Sequence, residues 1–291
     1  MEENQRPPLA VDMDGTLLAT DLLMEGLVHG LARRPWRTLG ALPLVLRGRA
    51  ALKARVAHIA ADLDFALLPC NAPLLAWLQA ERAAGRTLVL VTASDRAAAD
   101  AVAQRFGLFD TVMASDGGAN LKGARKAAAL RRRFPEGFAY AGDSFADVAV
   151  WRRARGIVFA GWKHGALARA LAGGGVLEAS FPSPGPAWRD WRRVLGFRWV
   201  AAAILPLSSL LFLAGLRDWR ALLAASLCAG CAFSAAALWR ALAAISRDRS
   251  SAGGAENPFA AGRLPLAHGL CALALCLGLA LLSGGFALWR L

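Results

Sequence analysis

The sequence predicts an α/β fold, a doubly wound parallel sheet with a helical cap insert, followed by an all-α membrane region of three helices. In the first part, short β-type runs alternate with helical patterns, which is typical of a parallel sheet with right-handed crossovers. In the second part, apolar runs dominate, and of the 21 acidic residues only four follow residue 185: Asp190, Asp218, Asp248 and Glu256. A length of 291 residues suits two domains.

The first domain is predicted over residues 1–179. Strands are expected at 9–11, 87–91, 111–114, 138–141 and 157–160, with helices at 95–106, 122–134 and 144–155, where apolar residues recur at three- and four-residue spacings. Residues from about 21 to 81 contain helical stretches, such as 22–32 and 50–61, but no clear strand, which predicts the cap. Gly and Pro are frequent at 173–175 and 180–186, so a linker is predicted over 180–196.

Three apolar runs, at roughly 197–216, 219–245 and 266–289, predict transmembrane helices in the region 197–291. Each run reaches the ~20 residues that a helix needs to cross the hydrocarbon core. Arginines precede the first run and lie between the last two, and loops rich in Lys and Arg stay on the cytoplasmic side. The N-terminus is polar, without the apolar stretch of a secretory signal. We therefore expect an integral protein of the cell (inner) membrane with a cytoplasmic first domain.

The net charge of +13 raises the question of nucleic-acid binding. No basic-aromatic module is visible, and arginines near membrane spans attract anionic lipid headgroups, so a lipid bilayer is the expected partner and nucleic acid is not. Small residues such as Gly230 and Ser234 in the apolar runs leave room for a membrane-protein partner or a second copy of the chain.

Polar side chains follow the predicted strands at the edge where open parallel sheets bind ligands. Asp12 and Asp14 follow the first strand, Thr92 and Ser94 the second, and Asp143 and Asp147 the fourth. Lys122 precedes the fourth strand, at the start of a predicted helix. We expect these residues to meet in one crevice.

This set of residues suits attack of a carboxylate on phosphorus, which needs cations and oriented donors because both reactants are negative. Asp12 is the predicted nucleophile, and Asp14 the acid that protonates the leaving oxygen and later activates water. Gly15 lets the backbone turn tightly at the phosphate. Mg²⁺, a hard cation, is the expected cofactor, held by Asp143, a carboxylate oxygen of Asp12 and the main-chain carbonyl of Asp14.

The remaining site residues bind phosphate or support that binding. Thr92 is predicted to donate its hydroxyl to the phosphate, which also contacts the Ala93 segment. Lys122 is predicted to supply the positive charge, with Lys126 as the alternative lysine. Asp147 is expected to orient that lysine or the waters of the metal.

Four segments, DMDGT, the run ending in VTAS, the lysine segment NLKGARK and AGDSFAD, resemble the four motifs of haloacid dehalogenase (HAD) superfamily phosphatases. The resemblance covers roughly residues 9–160. In that family, members with the second aspartate, here Asp14, are phosphatases or phosphomutases. The resemblance therefore implies phosphoryl transfer to water through an aspartyl-phosphate.

The second part resembles the membrane region of UbiA-type prenyltransferases, some of which carry an N-terminal HAD-like domain. The family's first aspartate-rich loop corresponds to SAAALWRALAAISRDR, where Ala241 and Ala244 replace two aspartates and only Asp248 with Arg249 matches. We therefore expect a truncated, degenerate transferase region that acts as an anchor, with prenyl-lipid binding as the alternative.

The predicted function is a membrane-tethered, Mg²⁺-dependent phosphatase that hydrolyses a phosphomonoester. Its expected substrate is a phosphorylated small molecule or a prenyl-linked phosphate, including a phosphoribosyl compound. Two alternatives remain: a UbiA-type transferase of a prenyl or phosphoribosyl group, and a non-catalytic membrane scaffold.

Overall fold

A computed structural model of the chain describes residues 6–115, 121–196, 204, 209, 218–251, 254 and 256–290. The chain divides into two compact units, Met1–Gly185 and Pro186–Leu291.

The first unit is built on a six-stranded sheet in which every neighbouring pair of strands is parallel. The strands are β1 Leu9–Asp12, β2 Leu88–Asp95, β3 Thr111–Ser115, β4 Ala139–Gly142, β5 Gly156–Gly161 and β6 Val176–Pro182. Their order is β3-β2-β1-β4-β5-β6, which confirms the predicted parallel α/β sheet. The order reverses direction at β1, and ligands bind at such a switch point in open α/β sheets.

Apolar layers cover both faces of the sheet, because successive side chains of a strand point to opposite faces. Leu9 and Val11 face one layer and Ala10 faces the other. The first layer contains residues of helices α4 (Ala72–Ala83) and α5 (Arg96–Phe106), and the second contains residues of α6 (Ala124–Arg133), α7 (Val148–Trp151) and α8 (His164–Leu171). All four residues of β1 are buried, so the sheet edge beside Asp12 rests on a rigid centre.

The sixth strand was not predicted. Strand β6 pairs with β5 at the edge of the sheet, and most of its residues are exposed or half-buried. It therefore lacks the continuous apolar run of a central strand, and its final Pro182 is tolerated since an edge strand can spare an N–H donor. The predicted linker at 180–196 accordingly overlaps the end of β6 and helix α9, Trp188–Leu195.

The insert between β1 and β2 is helical, in the order α1 Leu22–Arg33, α2 Pro35–Ala41, a 3₁₀ helix Leu42–Arg47, α3 Arg49–Ile59 and a 3₁₀ helix Phe65–Leu67, before α4. Two glycines of α1 allow close packing: a Cβ on Gly26 would lie 2.6 Å from the Val56 side chain, and one on Gly30 would lie 2.6 Å from that of Thr38. Helix α4 buries Leu74 and Leu78 against the sheet. We therefore use cap for residues 21–68 only.

In the second unit, helices α10 (Trp219–Ala243) and α12 (Leu266–Trp289) flank the short helix α11 (Ile245–Arg249). By length and composition, α10 and α12 could cross a membrane, with mean hydropathy of 2.0 and 2.2 in their most apolar windows. They pack against each other, and a Cβ on Gly284 would lie 3.1 Å from Cys228 Sγ. Apart from residues 204 and 209, the predicted first span, 197–216, lies outside the described residues. The structure thus describes two of the three predicted membrane helices.

Candidate active site

The candidate site lies at the carboxyl edge of the sheet, around the end of β1. Asp12 is the last residue of β1, Thr92 and Ala93 lie near the end of β2, and Asp143 directly follows β4. Because β1 pairs with both β2 and β4, the three strand ends are neighbours. The sheet thus brings together the residues that the sequence analysis selected from these strands.

A buried chain of hydrogen bonds joins Asp12 to Asp147. The Lys126 ammonium group donates to Asp12 Oδ1 at 2.6 Å and to the Tyr140 hydroxyl at 3.0 Å. That hydroxyl donates to Asp147 Oδ1 at 2.7 Å. Lys126 is 4% exposed, so its charge is shielded from solvent and held by these partners.

A tight turn after β4 holds Asp147 and Asp143 in place. Asp147 Oδ2 accepts hydrogen bonds from the Ser144 hydroxyl at 2.6 Å, the Ser144 amide at 3.0 Å and the Asp143 amide at 3.3 Å. Side chains of Asp commonly compete with helix formation in this way. The predicted helix at 144–155 is accordingly confined to α7, and Asp147 precedes it.

Three carboxylates form a candidate metal site. One oxygen each of Asp12, Asp143 and Asp147 lies within 4.8 Å of the others. Among the described residues this is the one group of three acidic, His or Cys side chains with that spacing. A set of carboxylate oxygens fits Mg²⁺, which is a hard cation. Lys163 also contacts this group, donating to Asp143 Oδ2 at 2.9 Å.

Asp14 connects the site to the cap. Leu22 is the first residue of α1, and its amide donates a hydrogen bond to Asp14 Oδ1 at 2.9 Å. The Ser94 hydroxyl donates to Asp14 Oδ2 at 2.7 Å. The Thr92 hydroxyl lies 3.4 Å from the same Oδ2. Lys53 of α3 donates to the Ala93 carbonyl oxygen at 3.3 Å, so a second cap helix reaches the end of β2.

Gly15 occupies the turn between Asp14 and the cap. Its φ is +82°, in the left-handed region that favours glycine. A Cβ at this position would lie 3.0 Å from Asp143 Oδ2. Glycine therefore serves two needs here, the backbone turn and the close approach of a candidate metal ligand.

Burial shifts the acidities of the two carboxyls of DMD. It raises the pKa of Asp12 from 3.8 to about 8, against the lowering effect of Lys126 and with further raising by Asp147 and Asp143. Burial, followed by Asp21, also raises the pKa of Asp14. Burial acts to lower the pKa of Lys126, but the nearby carboxylates, chiefly Asp12, outweigh it and the pKa is raised. In a low-dielectric site, burial and repulsion between the carboxylates raise the pKa of the acids, and attraction to the same carboxylates keeps Lys126 charged.

The lysine assignment needs correction. Lys122 is exposed and precedes α6, whereas Lys126 is the third residue of that helix and contacts Asp12. The reason is local: the chain turns at Gly123, with a φ of +55°, and α6 begins at Ala124. The alternative lysine of the sequence analysis is thus the one in the site.

Two further site residues were missed. Tyr140 stands in an apolar strand, where an aromatic residue suggests core packing, and Lys163 follows β5, from which no site residue was chosen. The position of Lys163 after a strand end was the available signal. For Tyr140, the sequence alone carries no sign that its hydroxyl bridges Lys126 and Asp147.

In the second unit, Asp248 is part of a local hydrogen-bonded turn. Its Oδ2 accepts from the Asn257 side-chain amide at 2.8 Å, and the same amide donates to the Ala241 carbonyl oxygen at 2.8 Å. Within the described residues no group of three candidate metal ligands includes Asp248. The resemblance of this region to prenyltransferases stays a prediction.

Several solved structures are similar to part of this chain. A protein with unknown function from Bordetella pertussis Tohama I is 18% identical, with a TM-score of 0.41 and coverage of 60% of this chain and 98% of that chain. A phosphoserine phosphatase with a phospho-aspartyl intermediate analogue is 13% identical, with a TM-score of 0.41 and coverage of 61% and 94%. CbbY from Rhodobacter sphaeroides in complex with phosphate is 18% identical, with a TM-score of 0.40 and coverage of 54% and 86%.

Sequence comparison extends the similarity to a relative and to a family. The uncharacterized protein y4nM of Sinorhizobium fredii (strain NBRC 101917 / NGR234) is 32% identical over 286 residues, which cover 96% of this chain and 55% of the relative. The chain thus spans about half the length of the curated relative it matches. The family model of haloacid dehalogenase-like hydrolases matches residues 9–152, which contain β1 to β4 and the acidic cluster. The match covers the four segments that resemble the motifs of this superfamily, and it agrees with the resemblance drawn from them.

Proposed function

We propose that this chain is a membrane-tethered, Mg²⁺-dependent phosphatase that hydrolyses a phosphomonoester through an aspartyl-phosphate on Asp12. One observation carries the proposal: the Asp12 carboxylate lies 2.6 Å from a buried ammonium group, and it shares a 4.8 Å cluster with two further carboxylates. In the proposed mechanism Asp12 is the nucleophile, and a buried cation and oxygen ligands suited to a divalent ion lie beside it.

In the first step, a carboxylate oxygen of Asp12 forms a bond to phosphorus while the bond from phosphorus to the leaving oxygen breaks. The leaving oxygen takes a proton from Asp14, whose pKa burial raises, so that a protonated acid is available. The Ser94 hydroxyl and the Leu22 amide hold that carboxyl group in place. Lys126 offsets negative charge on the phosphoryl group and, with Tyr140, fixes the position of Asp12.

In the second step, Asp14, now ionised, accepts a proton from a water molecule whose oxygen bonds to phosphorus. The bond between phosphorus and Asp12 breaks, inorganic phosphate leaves, and Asp12 is a free carboxylate again. Thr92 and the backbone at Ala93, at the end of β2, are the proposed phosphate contacts.

Asp12, Asp143 and the main-chain carbonyl of Asp14 would hold the metal ion, as the sequence analysis expects, and the Asp147 carboxylate lies close enough to Asp12 and Asp143 to join them. When bound, Mg²⁺ supplies charge stabilisation for the phosphoryl oxygens and lets the carboxylates stay ionised. The Ser144 and Asp143 amides orient Asp147 toward that position.

We further propose that the domain faces the cytoplasm and that α10 and α12 anchor it in the cell membrane. Only 6% of the most apolar window of α12 is buried within the structure, so its apolar side chains need another environment. A lipid bilayer supplies one. Within the broad class of phosphorylated small molecules, a membrane anchor favours a prenyl-linked or phosphoribosyl-lipid phosphate as the substrate.

The test is release of inorganic phosphate by the purified full-length chain in detergent, with Mg²⁺ and a panel of sugar phosphates and prenyl phosphates. Asp12→Asn should abolish turnover, because an amide cannot attack phosphorus. Asp100→Asn is the matched control, since that carboxyl is on the surface of α5 and pairs only with Arg96 at 3.7 Å among the described residues. Wild-type protein without turnover on every substrate would favour the scaffold, and prenyl transfer that survives Asp12→Asn would favour the transferase.

A further inference from the structure

The cap carries an exposed apolar surface next to a basic one. In α2 and the 3₁₀ helix after it, Trp36 is 83% exposed and Leu46 is 88% exposed, and three more large apolar side chains are also exposed: Leu39, Leu42 and Val45. We call these five residues the cap patch. Thr38 and Ala41 are buried, so α2 packs on the cap by its opposite face. Clustered apolar side chains on a surface mark an interaction site.

Basic residues dominate the sequence around the cap patch. Residues 26–61 include seven Lys or Arg residues and no Asp or Glu. Such a combination, apolar side chains including a Trp on one side and basic residues around them, is typical of elements that lie in a membrane interface. A protein partner with an apolar surface would not by itself require this excess of positive charge.

A basic cavity of about 400 Å³ adjoins the cap patch. Its charged and His lining consists of Arg37, which directly follows Trp36, together with Arg34, Arg55, His58 and one carboxylate, Asp62. Among the described residues, Arg37 and Arg55 form no ion pair, whereas Arg34 is paired with Asp62 at 2.7 Å. The Arg34 hydrogen bond lowers the pKa of Asp62 to about 2, so this carboxylate is ionised, and Arg34 compensates its negative charge. The cavity therefore offers two uncompensated guanidinium groups to an anion.

We propose that the cap docks on an anionic lipid surface, with the cap patch inserted among the acyl chains and Arg37 and Arg55 bound to lipid phosphate. The apolar burial and the attraction of basic residues to anionic headgroups act together in such docking. The two apolar helices of the second unit place this cap on a chain that we already propose to be membrane-bound. The docking itself requires no catalytic step and stands apart from the phosphatase chemistry.

The experiment measures immersion of the cap patch by site-directed spin labelling of the full-length chain. With the five native cysteines replaced, a label is attached at Leu46→Cys or, as matched control, at Val176→Cys, an exposed apolar position on β6. Each protein is reconstituted as one copy per nanodisc, in phosphatidylcholine alone or mixed with phosphatidylglycerol. Collision with oxygen, which concentrates in acyl chains, is compared with collision with a water-soluble nickel chelate.

In anionic discs, we expect the nickel collision rate at residue 46 to fall several-fold and the oxygen collision rate to rise, while residue 176 stays aqueous. Arg37→Glu with Arg55→Glu should return residue 46 to water, and both side chains are exposed, so the cap should still fold. Equal immersion in neutral discs with or without charge reversal would overturn the role of anionic lipid. A label that stays aqueous in all discs, or one that is shielded only at high protein concentration in detergent, would overturn lipid docking, the latter in favour of a second copy.

Discussion

Replacing Lys126 separates the two candidate lysines and tests the proposed chemistry at its central contact. At 2.6 Å from Asp12 Oδ1, and with an effective dielectric constant near 20, the ion pair has a Coulomb energy of about 6 kcal/mol. Desolvation of both groups offsets part of this, and removing one partner of a buried pair typically costs about 3–5 kcal/mol. In Lys126→Met, a side chain of similar length keeps the packing while the charge is lost.

The expected consequence is loss of the nucleophile. Burial already raises the pKa of Asp12 to about 8 with Lys126 in place. That pKa belongs to the metal-free protein; loss of the ammonium group raises it further and removes the charge that offsets the phosphoryl group, so attack of Asp12 on phosphorus is slower. We expect kcat to fall by about 10²–10³, the usual effect of removing one preorganised electrostatic contact, and the remaining activity to shift to higher pH.

The assay is Mg²⁺-dependent release of inorganic phosphate by the full chain, with Lys122→Met as the control. Because Lys122 is exposed, its replacement should change stability by no more than ~0.5 kcal/mol and leave kcat unchanged. A result in which Lys122→Met is inactive and Lys126→Met is active would refute the assignment of the lysine and the mechanism built on it.

Three other perturbations address the same cluster. Tyr140→Phe removes the hydroxyl that bridges Lys126 and Asp147; thermal unfolding should show a loss of about 1–3 kcal/mol, and kcat should fall. Gly15→Ala places a Cβ 3.0 Å from Asp143 at a positive φ. Gly85→Ala is the control, because it has the same backbone strain at a φ of +83° but no atom within 4 Å of the new Cβ. Calorimetry should show weaker Mg²⁺ binding in Gly15→Ala only. The pKa of Asp12 is higher in the folded metal-free protein than in the unfolded chain, so this protein loses stability as the pH rises from about 4 to about 8. Mg²⁺ should therefore raise the melting temperature more at the upper end of that range. An equal rise at both ends would contradict this linkage.

The central strands of the sheet could be predicted from the sequence because buried strands are continuous runs of apolar residues. Strands β1, β2 and β4 are buried runs of apolar residues, and polar side chains begin where each run ends. A parallel sheet then brings those ends together whatever the loops do. Strand β6 escaped prediction because an exposed edge strand carries no comparable run, and its Gly and Pro neighbours resemble a linker.

The site residues were predictable to the extent that a strand places them. Asp12 and Asp143 are at or beside strand ends, but Lys126 depends on where α6 begins, which the turn at Gly123 decides. One signal was available in the pattern: Lys126 and Leu130 share the buried face of α6, four residues apart. A lysine on the buried face of an amphipathic helix needs a charged partner, and a preceding exposed lysine does not.

The cap links the chemistry to the proposed membrane surface through hydrogen bonds. Its first helix begins at Leu22, whose amide holds Asp14, and Lys53 of α3 binds the carbonyl oxygen of Ala93 beside the proposed phosphate contact. The patch that includes Trp36 belongs to the segment between these two helices. The position of the acid that protonates the leaving group is thus tied to the element that we propose rests on lipid. Such a connection would align the active site with phosphates that remain attached to the membrane, because the segment that we propose contacts the bilayer lies between the two cap helices that border the site.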